Sequence, residues 1–409
     1  MLSWFRNTVF RYIYATLIKI YPPRPPVLFN QEKATPALCR EMATKGSRRV
    51  LVITSKDLIK LGLLDTFFSA LQDIKVQVEV FDGIQPNPTF DAVEAATIRY
   101  KEKQCDAVLA FGGGSVIDAA KAVILHVDNK RPLRHLIGIF KAGHQPVPFY
   151  VIPTTAGTGS EITSTAVLSD PTTHQKFFLT DHKMLPLAVA LDPSVMTGLP
   201  PAITADTGMD ALTHAIESHI SKIDNPDKMA LAANAVAAIF NHLPQAYANG
   251  ANIEARAEMA NASYNAGMAF NAMGLGFVHA ISHQLTALYG IPHGRANAIV
   301  LPYVLRASLP QITKPLARLA RESGISKNTH EVTAAQQLLE GIDALSSSLN
   351  MAKGINELEA KDFDEIATRA RKEAISTYPF PYMLSHQACV EILQKLKQNG
   401  TRYALDSAA

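Results

Sequence analysis

The chain has 409 residues, 47% of them apolar and 18% charged, and a formal net charge of +3. That length supports a large core and a split into two domains. Charges of both signs are interspersed and leave no basic stripe, which excludes nucleic acid as an expected partner. The three cysteines, Cys39, Cys105 and Cys389, form no CxxC pair, so neither a disulfide framework nor a cysteine zinc site is expected. They read as small buried apolar residues in a reducing, cytoplasmic compartment.

Residues 1–22, MLSWFRNTVFRYIYATLIKIYP, are rich in large apolar and aromatic groups. Arg11 interrupts the apolar run, leaving it short of the roughly 20 residues that cross a bilayer, and no small-residue cleavage site comes after it. The reading is an amphipathic helix, either packed on the body of the protein or making a peripheral contact with a membrane surface. The prolines of YPPRPPVLF end it, so residues 1–28 are set apart as an N-terminal extension.

From about residue 48, short β-branched runs alternate with amphipathic stretches. RRVLVITS predicts a strand, LIKLGLLDTFFSALQ a helix, VQVEVFDG a strand and DAVEAATIRYKEKQ a helix. DAVLAFGGGS then predicts a strand with a glycine-rich end, VIDAAKAVILHV a helix and PFYVIPTT a further strand. Such alternation, with continuously apolar strands, predicts a parallel sheet covered by helices on both faces. After about residue 200 helical periodicity takes over, in AITADTGMDALTHAIESHI, KMALAANAVAAIFNHL, EARAEMANASYNAGMAF and FVHAISHQLTALYG, with turn signals at LPP, IPHG and TYPFPYML. The expected domains are an α/β unit at 29–197 and an all-helical unit at 198–409, and no internal repeat or low-complexity tract appears.

Two loops suit a nucleotide. Gly112, Gly113, Gly114 and Ser115 lie where a strand becomes a helix, so backbone N–H groups and the helix N-terminus can meet an anion. Thr154 to Glu161 come after the next strand and offer four hydroxyls and two glycines. Both loops fall at carboxyl ends of strands, where open α/β sheets bind ligands. A second cluster suits a metal. Asp210 and His214 are four apart and share one helix face, and His279 and His293 lie further on, with Pro292 placed to turn the chain back. Three imidazoles and a carboxylate fit a divalent first-row ion such as Fe(II) or Zn(II), with room for a substrate oxygen. His283, one turn after His279, is an orienting or proton-relaying group rather than a ligand. Glu217 and His219 are read as a solvated face.

The blocks GGGSVIDAAK, IPTTAGTGSE, TGMDALTHAIE and GLGFVHAISHQLTALYGIPHGRANAIVLP closely resemble the iron-containing (group III) alcohol dehydrogenase family. The resemblance runs in order from about residue 28 to about 310, and more loosely to the end. It implies a dehydroquinate synthase-like fold, with a Rossmann-like dinucleotide-binding domain, an all-α domain and an active site between them. It implies a metal held by Asp210, His214, His279 and His293, the last also a catalytic position beside the proton-moving His283. It places Gly113, Gly114, Ser115 and Asp118 at the cofactor pyrophosphate, and Thr154, Thr155, Thr158, Ser160, Thr163 and Lys176 around nicotinamide and ribose. The implied activity is reversible hydride transfer between NAD(P) and a primary alcohol or aldehyde, with the metal as Lewis acid. A homodimer or higher homo-oligomer is implied as well.

Two positions depart from the family pattern. Ser55 stands where the family often has an acidic residue that would repel a 2′-phosphate, which tilts the expectation modestly to NADP(H), with Asp57 near enough to reach the ribose. The segment ISTYPFPYML departs from the branch acting on small diols, so it leaves the substrate open. The rival readings are a polyol dehydrogenase or maleylacetate-type reductase of the same fold, and a non-catalytic, membrane-docked relative.

Overall fold

The computed structural model describes residues 25–30, 33–72, 74–129, 131–143, 146–171 and 175–400. The amphipathic helix expected at residues 1–22 lies outside them. The chain forms two compact units, one comprising residues up to Thr155 together with Ser160–Val195, the other Ala156–Gly159 together with Met196 onward. Among the described residues no helix is long and apolar enough to cross a membrane.

The first unit opens with β1 (Val27–Phe29), α1 (Ala34–Thr44), β2 (Arg49–Ile53), α2 (Lys56–Lys60), α3 (Asp65–Gln72) and β3 (Gln77–Phe81). It continues through α4 (Phe90–Glu102), β4 (Ala107–Gly112), α5 (Gly114–His126), β5 (Gly138–Ile139) and β6 (Phe149–Pro153). β7 (Thr165–Ser169), β8 (Lys176–Thr180) and β9 (Ala188–Ala190) complete it. Six strands make one parallel sheet in the order β1-β9-β6-β4-β2-β3. Its central strands β4 and β6 are buried at every position, which is why their sequences are apolar without alternation. The chain lays β3 outside β2 and then returns to the other side of β2 as β4. The order reverses there, and the carboxyl ends of β2 and β4 flank the point where open α/β sheets bind ligands.

Two features were hidden in the sequence. The single helix expected over 58–72 is two, α2 and α3, because Gly62 turns left-handed between them (φ 68°). The antiparallel pair β7–β8, joined by β5 in a second small sheet, mixes polar with apolar residues and makes no continuous apolar run, and β1, β5 and β9 carry too few residues for a periodic signal.

The second unit runs α6 (Pro201–His219), α7 (Pro226–Ala248), α8 (Ile253–Met273), α9 (Phe277–Tyr289), α10 (His293–Glu322), α11 (Glu331–Ser348), α12 (Phe363–Thr377) and α13 (His386–Gln398). α6 starts on Pro200 as N-cap and Pro201 at the first helical position, where the missing N–H has no partner to lose. It is buried along nearly its whole length from Thr204 to His219, so it is the central rod of the unit. α10 carries Pro302, Pro310 and Pro315 inside a 30-residue helix. Each proline costs about 3 kcal/mol in a helix interior. Burial of Val300, Leu301, Val304, Leu305, Leu316 and Leu319, at about 1.5–3 kcal/mol each, offsets that.

Candidate metal and nucleotide sites

At the strand switch of the first unit, α5 begins on Gly113 as N-cap with no acidic residue in its first turn. A helix start of that kind presents unsatisfied N–H groups and a partial positive charge to an anion. Ser115 accepts a hydrogen bond from the Asn87 N–H at 3.3 Å. The Thr154 N–H donates to the Gly112 carbonyl at 3.1 Å, which ties the end of β6 to the end of β4. A Cβ on Gly113 would lie 3.2 Å from the Thr155 hydroxyl oxygen, so this is a close approach of two loops. Ser55 comes after β2 as the N-cap of α2, half-buried and bridged to Gly83. Thr158 is likewise half-buried, and Lys176 opens β8.

Beneath these loops sits a polar network that sequence reasoning missed at its centre. Lys121 is fully buried, and its ammonium donates to Ser160 Oγ (2.9 Å), Thr163 Oγ1 (2.9 Å) and the Thr165 carbonyl (2.8 Å). Ser160 in turn donates to Asp118 Oδ1 at 2.5 Å, and Asp118 Oδ2 accepts the Val167 N–H at 3.0 Å. Asp118, Ser160 and Thr163 are therefore held by one buried cation rather than standing loose around a ligand. Burial pushes Lys121 down to about 8 and Glu161 up to about 7. It also raises Asp118, against the pull of Lys121, Ser160, Val167 and Lys176. The sequence signal for Lys121 was its place one turn after Asp118 on the same face of α5, the face that meets β7.

In the second unit Asp210, His214, His279 and His293 each offer a ligand atom, and these atoms lie within 4.8 Å of one another. α6 supplies Asp210 and His214. Gly290, in a left-handed conformation, ends α9, and Pro292 caps α10, so His293 returns beside His279 as the first residue of the new helix. The Nε2 atoms of His214, His279 and His293 lie 3.7, 3.9 and 3.7 Å from Asp210 Oδ1. Atoms held about 2.1 Å from one ion in a tetrahedron sit roughly 3.4 Å apart, so the spacing fits a first-row ion.

The far side of the rings fixes the tautomers. His279 Nδ1 lies 2.6 Å from Glu217 Oε2, and His214 Nδ1 lies 3.2 Å from the Gly157 carbonyl. Both partners accept only, so each Nδ1 carries the proton and each Nε2 lone pair faces the cluster. Burial pushes His214 down to about 4, with nearby His279 adding to the effect against Asp210. It is thus neutral, the form that binds metal. Asn297 Nδ2 sits 2.7 Å from Asp210 Oδ1, 3.0 Å from His279 Nε2 and 3.2 Å from His293 Nε2. It places an electropositive N–H group against the very lone pairs a cation would take. The donor set fits a divalent ion.

Close backbone approaches lock this arrangement. A Cβ on Gly157 would come within 2.5 Å of the Thr207 carbonyl oxygen, and one on Gly294 would overlap the Asp206 carbonyl oxygen.

Glu217 and His219 correct the reading of a solvated face. They are 3% and 1% exposed. Glu217 accepts the N–H groups of Gly276 (3.0 Å) and Val278 (2.7 Å) as well as His279 Nδ1, and His219 Nε2 pairs with Glu322 at 2.8 Å. The sequence does carry a signal: 210, 214 and 217 share one helical stripe. Charge by itself suggests solvation, whereas a buried carboxylate with three donors is satisfied. His283 is brought to the same place, its ring stacked on His293 (centroids 5.1 Å, 21°) and edge-on to His279 (5.9 Å).

Comparison with known proteins agrees along the chain. Residues 25–193 match the model of the iron-containing alcohol dehydrogenases, and residues 204–397 that of the C-terminal region of the Fe-containing alcohol dehydrogenase family. The 1,3-propanediol dehydrogenase of Klebsiella pneumoniae is 38% identical over 335 residues, 80% of this chain and 86% of that protein. The crystal structure of a 1,3-propanediol oxidoreductase superposes with a TM-score of 0.87 at 35% identity, covering 91% of this chain and 98% of that one. That of sulfoacetaldehyde reductase from Bifidobacterium kashiwanohense in complex with NAD+ does so with a TM-score of 0.84 at 27% identity, covering 92% and 98%. With both halves matched in order and at these identities, the chain belongs to the iron-containing alcohol dehydrogenase family.

Proposed function

We propose that this protein is a metal-dependent, NAD(P)-linked alcohol dehydrogenase and aldehyde reductase acting on a primary alcohol or aldehyde. The observation that carries the reading is the convergence of one carboxylate and three imidazole nitrogens within 4.8 Å. Asp210, His214, His279 and His293 hold the metal, with Fe(II) or Zn(II) equally suited to the donors. Residues 198–409 are the catalytic domain and 29–197 the dinucleotide-binding domain. In the latter, Gly113, Gly114, Ser115 and Asp118 serve the pyrophosphate. Thr154, Thr155, Thr158, Ser160, Thr163 and Lys176 serve the nicotinamide side. Ser55, carrying no charge to repel a 2′-phosphate, favours NADP(H). Three buried, free cysteines suit the cytoplasm, and a homodimer is the assembly this family reading implies.

When bound, the metal supplies a Lewis acid for the substrate oxygen and the nicotinamide supplies the hydride acceptor or donor. The protein's own groups do the rest. Asp210, His214 and His279 are at most 4% exposed, so they exclude water from three sides of the cluster. The His293 side chain is 30% exposed, which leaves its side for the substrate to enter. His283, packed on His293 and His279, moves the hydroxyl proton. A His279→Ala variant tests the assignment: it is expected to lose bound metal and turnover while keeping nucleotide affinity. Full metal content in that variant would overturn the ligand set.

A further inference from the structure

Nothing in the glycine-rich or histidine blocks points to α12, yet α12 reaches His283. Glu373, near its C-terminal end, places Oε1 2.6 Å from His283 Nδ1. The same oxygen accepts the Tyr378 hydroxyl at 2.7 Å, and Oε2 accepts Gln284 Nε2 at 3.0 Å. Both members of the pair are largely buried, with side chains 11% and 16% exposed. Burial and the adjacent carboxylate hold the Tyr378 phenol well above its usual range, so it stays protonated and can only donate here. Glu373 thus has three donors converging on two oxygens, and its orientation is fixed from both sides. A carboxylate can only accept, so His283 Nδ1 carries a proton and the lone pair of the ring is on Nε2.

We propose that Glu373 is a positioning residue for the proton step: it selects the His283 tautomer and holds the ring against His293. The inference rests on the reading of His283 as the proton-moving group. When an alcohol becomes a carbonyl, its hydroxyl proton goes to the His283 Nε2 lone pair while the C–H bond yields its hydride to the cofactor. On reduction the same proton returns to oxygen. An imidazole with its proton on Nε2 instead cannot take the hydroxyl proton, and a ring free to turn leaves His293. Tyr378 and Gln284 act one step further out, by keeping the carboxylate in plane.

The network separates two variants. Glu373→Gln can keep its oxygen toward His283 Nδ1–H and the Tyr378 hydroxyl, with its NH2 donating to the Gln284 amide turned over, so the tautomer is retained. Glu373→Leu removes the acceptor, so nothing holds the proton on Nδ1 or the ring against His293. The experiment is a double-mutant cycle on the metal- and cofactor-loaded enzyme, with Glu373→Leu and His283→Ala alone and together, and Glu373→Gln as the conservative variant. Metal content, nucleotide Kd, KM and kcat are measured for each. Glu373→Leu is expected to lower kcat about 100-fold, the size of a lost proton-transfer contribution, and Glu373→Gln to recover most of that loss. KM, nucleotide Kd and metal content should stay within about twofold of the parent, and adding Glu373→Leu to His283→Ala should cost nothing further. Tyr378→Phe, which removes only a support, is expected to lower kcat a few-fold. The inference is overturned by an equal loss in both backgrounds, by loss of metal in Glu373→Leu, by a loss in Glu373→Gln as large as in Glu373→Leu, or by an unchanged kcat in Glu373→Leu while His283→Ala is impaired. If His283→Ala itself keeps full kcat, the proton role of His283 falls, and that of Glu373 with it.

Discussion

Replacing Glu217 by glutamine removes one charge and alters one atom, and the surrounding hydrogen bonds determine the consequence. The carboxylate accepts from Val278 N–H on Oε1 and from Gly276 N–H and His279 Nδ1–H on Oε2, at 2.6–3.0 Å, in a site 3% exposed. An amide has one oxygen. Turned toward Val278, it sets its NH2 against Gly276 N–H and forces the His279 proton onto Nε2, the nitrogen that faces Asp210. Turned the other way, it sets NH2 against Val278 N–H. Either orientation breaks at least one charge-assisted hydrogen bond and strands a buried donor, together worth roughly 2–5 kcal/mol of stability. Loss of an orienting partner behind a metal-ligating histidine typically costs about 10–100-fold in metal affinity. Competition with a chromophoric chelator measures the affinity, and urea unfolding of the metal-free protein measures the stability. A Glu217→Gln variant that binds metal within twofold of the parent would refute the reading that the Glu217 carboxylate supports His279 as a ligand.

Three further outcomes are expected. The folded Glu161 carboxyl titrates at about 7 against 4.5 in the unfolded chain, so the native state holds a proton that the unfolded state has lost between those values. Stability therefore falls as pH rises from 4.5 to 7 and stays lower above, by up to about 3 kcal/mol. Glu161→Gln should match the parent near pH 4 and exceed it at pH 8 in denaturant midpoint; an equal difference at both pH values would sink the reasoning. Gly294→Ala drives a Cβ into the Asp206 carbonyl and to 3.2 Å from Asp210 Cβ, pushing the start of α10 off α6. It should cost about 1–3 kcal/mol by overpacking and weaken metal binding by equilibrium dialysis, and unchanged binding would show that His293 is not placed by this contact. Ser55→Asp restores a repulsion toward a 2′-phosphate and should shift the NADPH-to-NADH ratio of kcat/KM toward NADH by about tenfold or more. An unmoved ratio would remove Ser55 from the cofactor site.

The central elements were legible from their patterns: β2, β4 and β6 as continuous apolar runs, and α6 to α9 as long helical stripes. The pairing of Asp210 with His214 was legible from spacing on one helix, whereas the joining of His279 and His293 to them came from the family resemblance, with Pro292 only permitting the turn. The partners behind the site were not. Glu373 lies 90 residues from His283, and no local pattern marks a contact made only by tertiary packing. Glu217 reads as solvated because a charged residue late in a helix ordinarily is, whereas here the start of α9 folds over it with two backbone donors. Lys121 escapes notice for the same reason: its charge is satisfied by oxygens that come from β7 and the loop before it, far along the chain. The three prolines of α10 hide a helix because local propensity counts their cost but not the apolar face they leave intact.

The proposed function makes reduction of an aldehyde depend on a metal held by the Asp–His cluster. The direct measurement is oxidation of NADPH and NADH with a medium-chain aldehyde. Protein loaded anaerobically with Fe(II) is assayed as prepared, after chelation, and after reloading. Oxidation that chelation abolishes and reloading restores is expected, together with full nucleotide binding throughout. Turnover that survives complete removal of the metal would contradict that dependence.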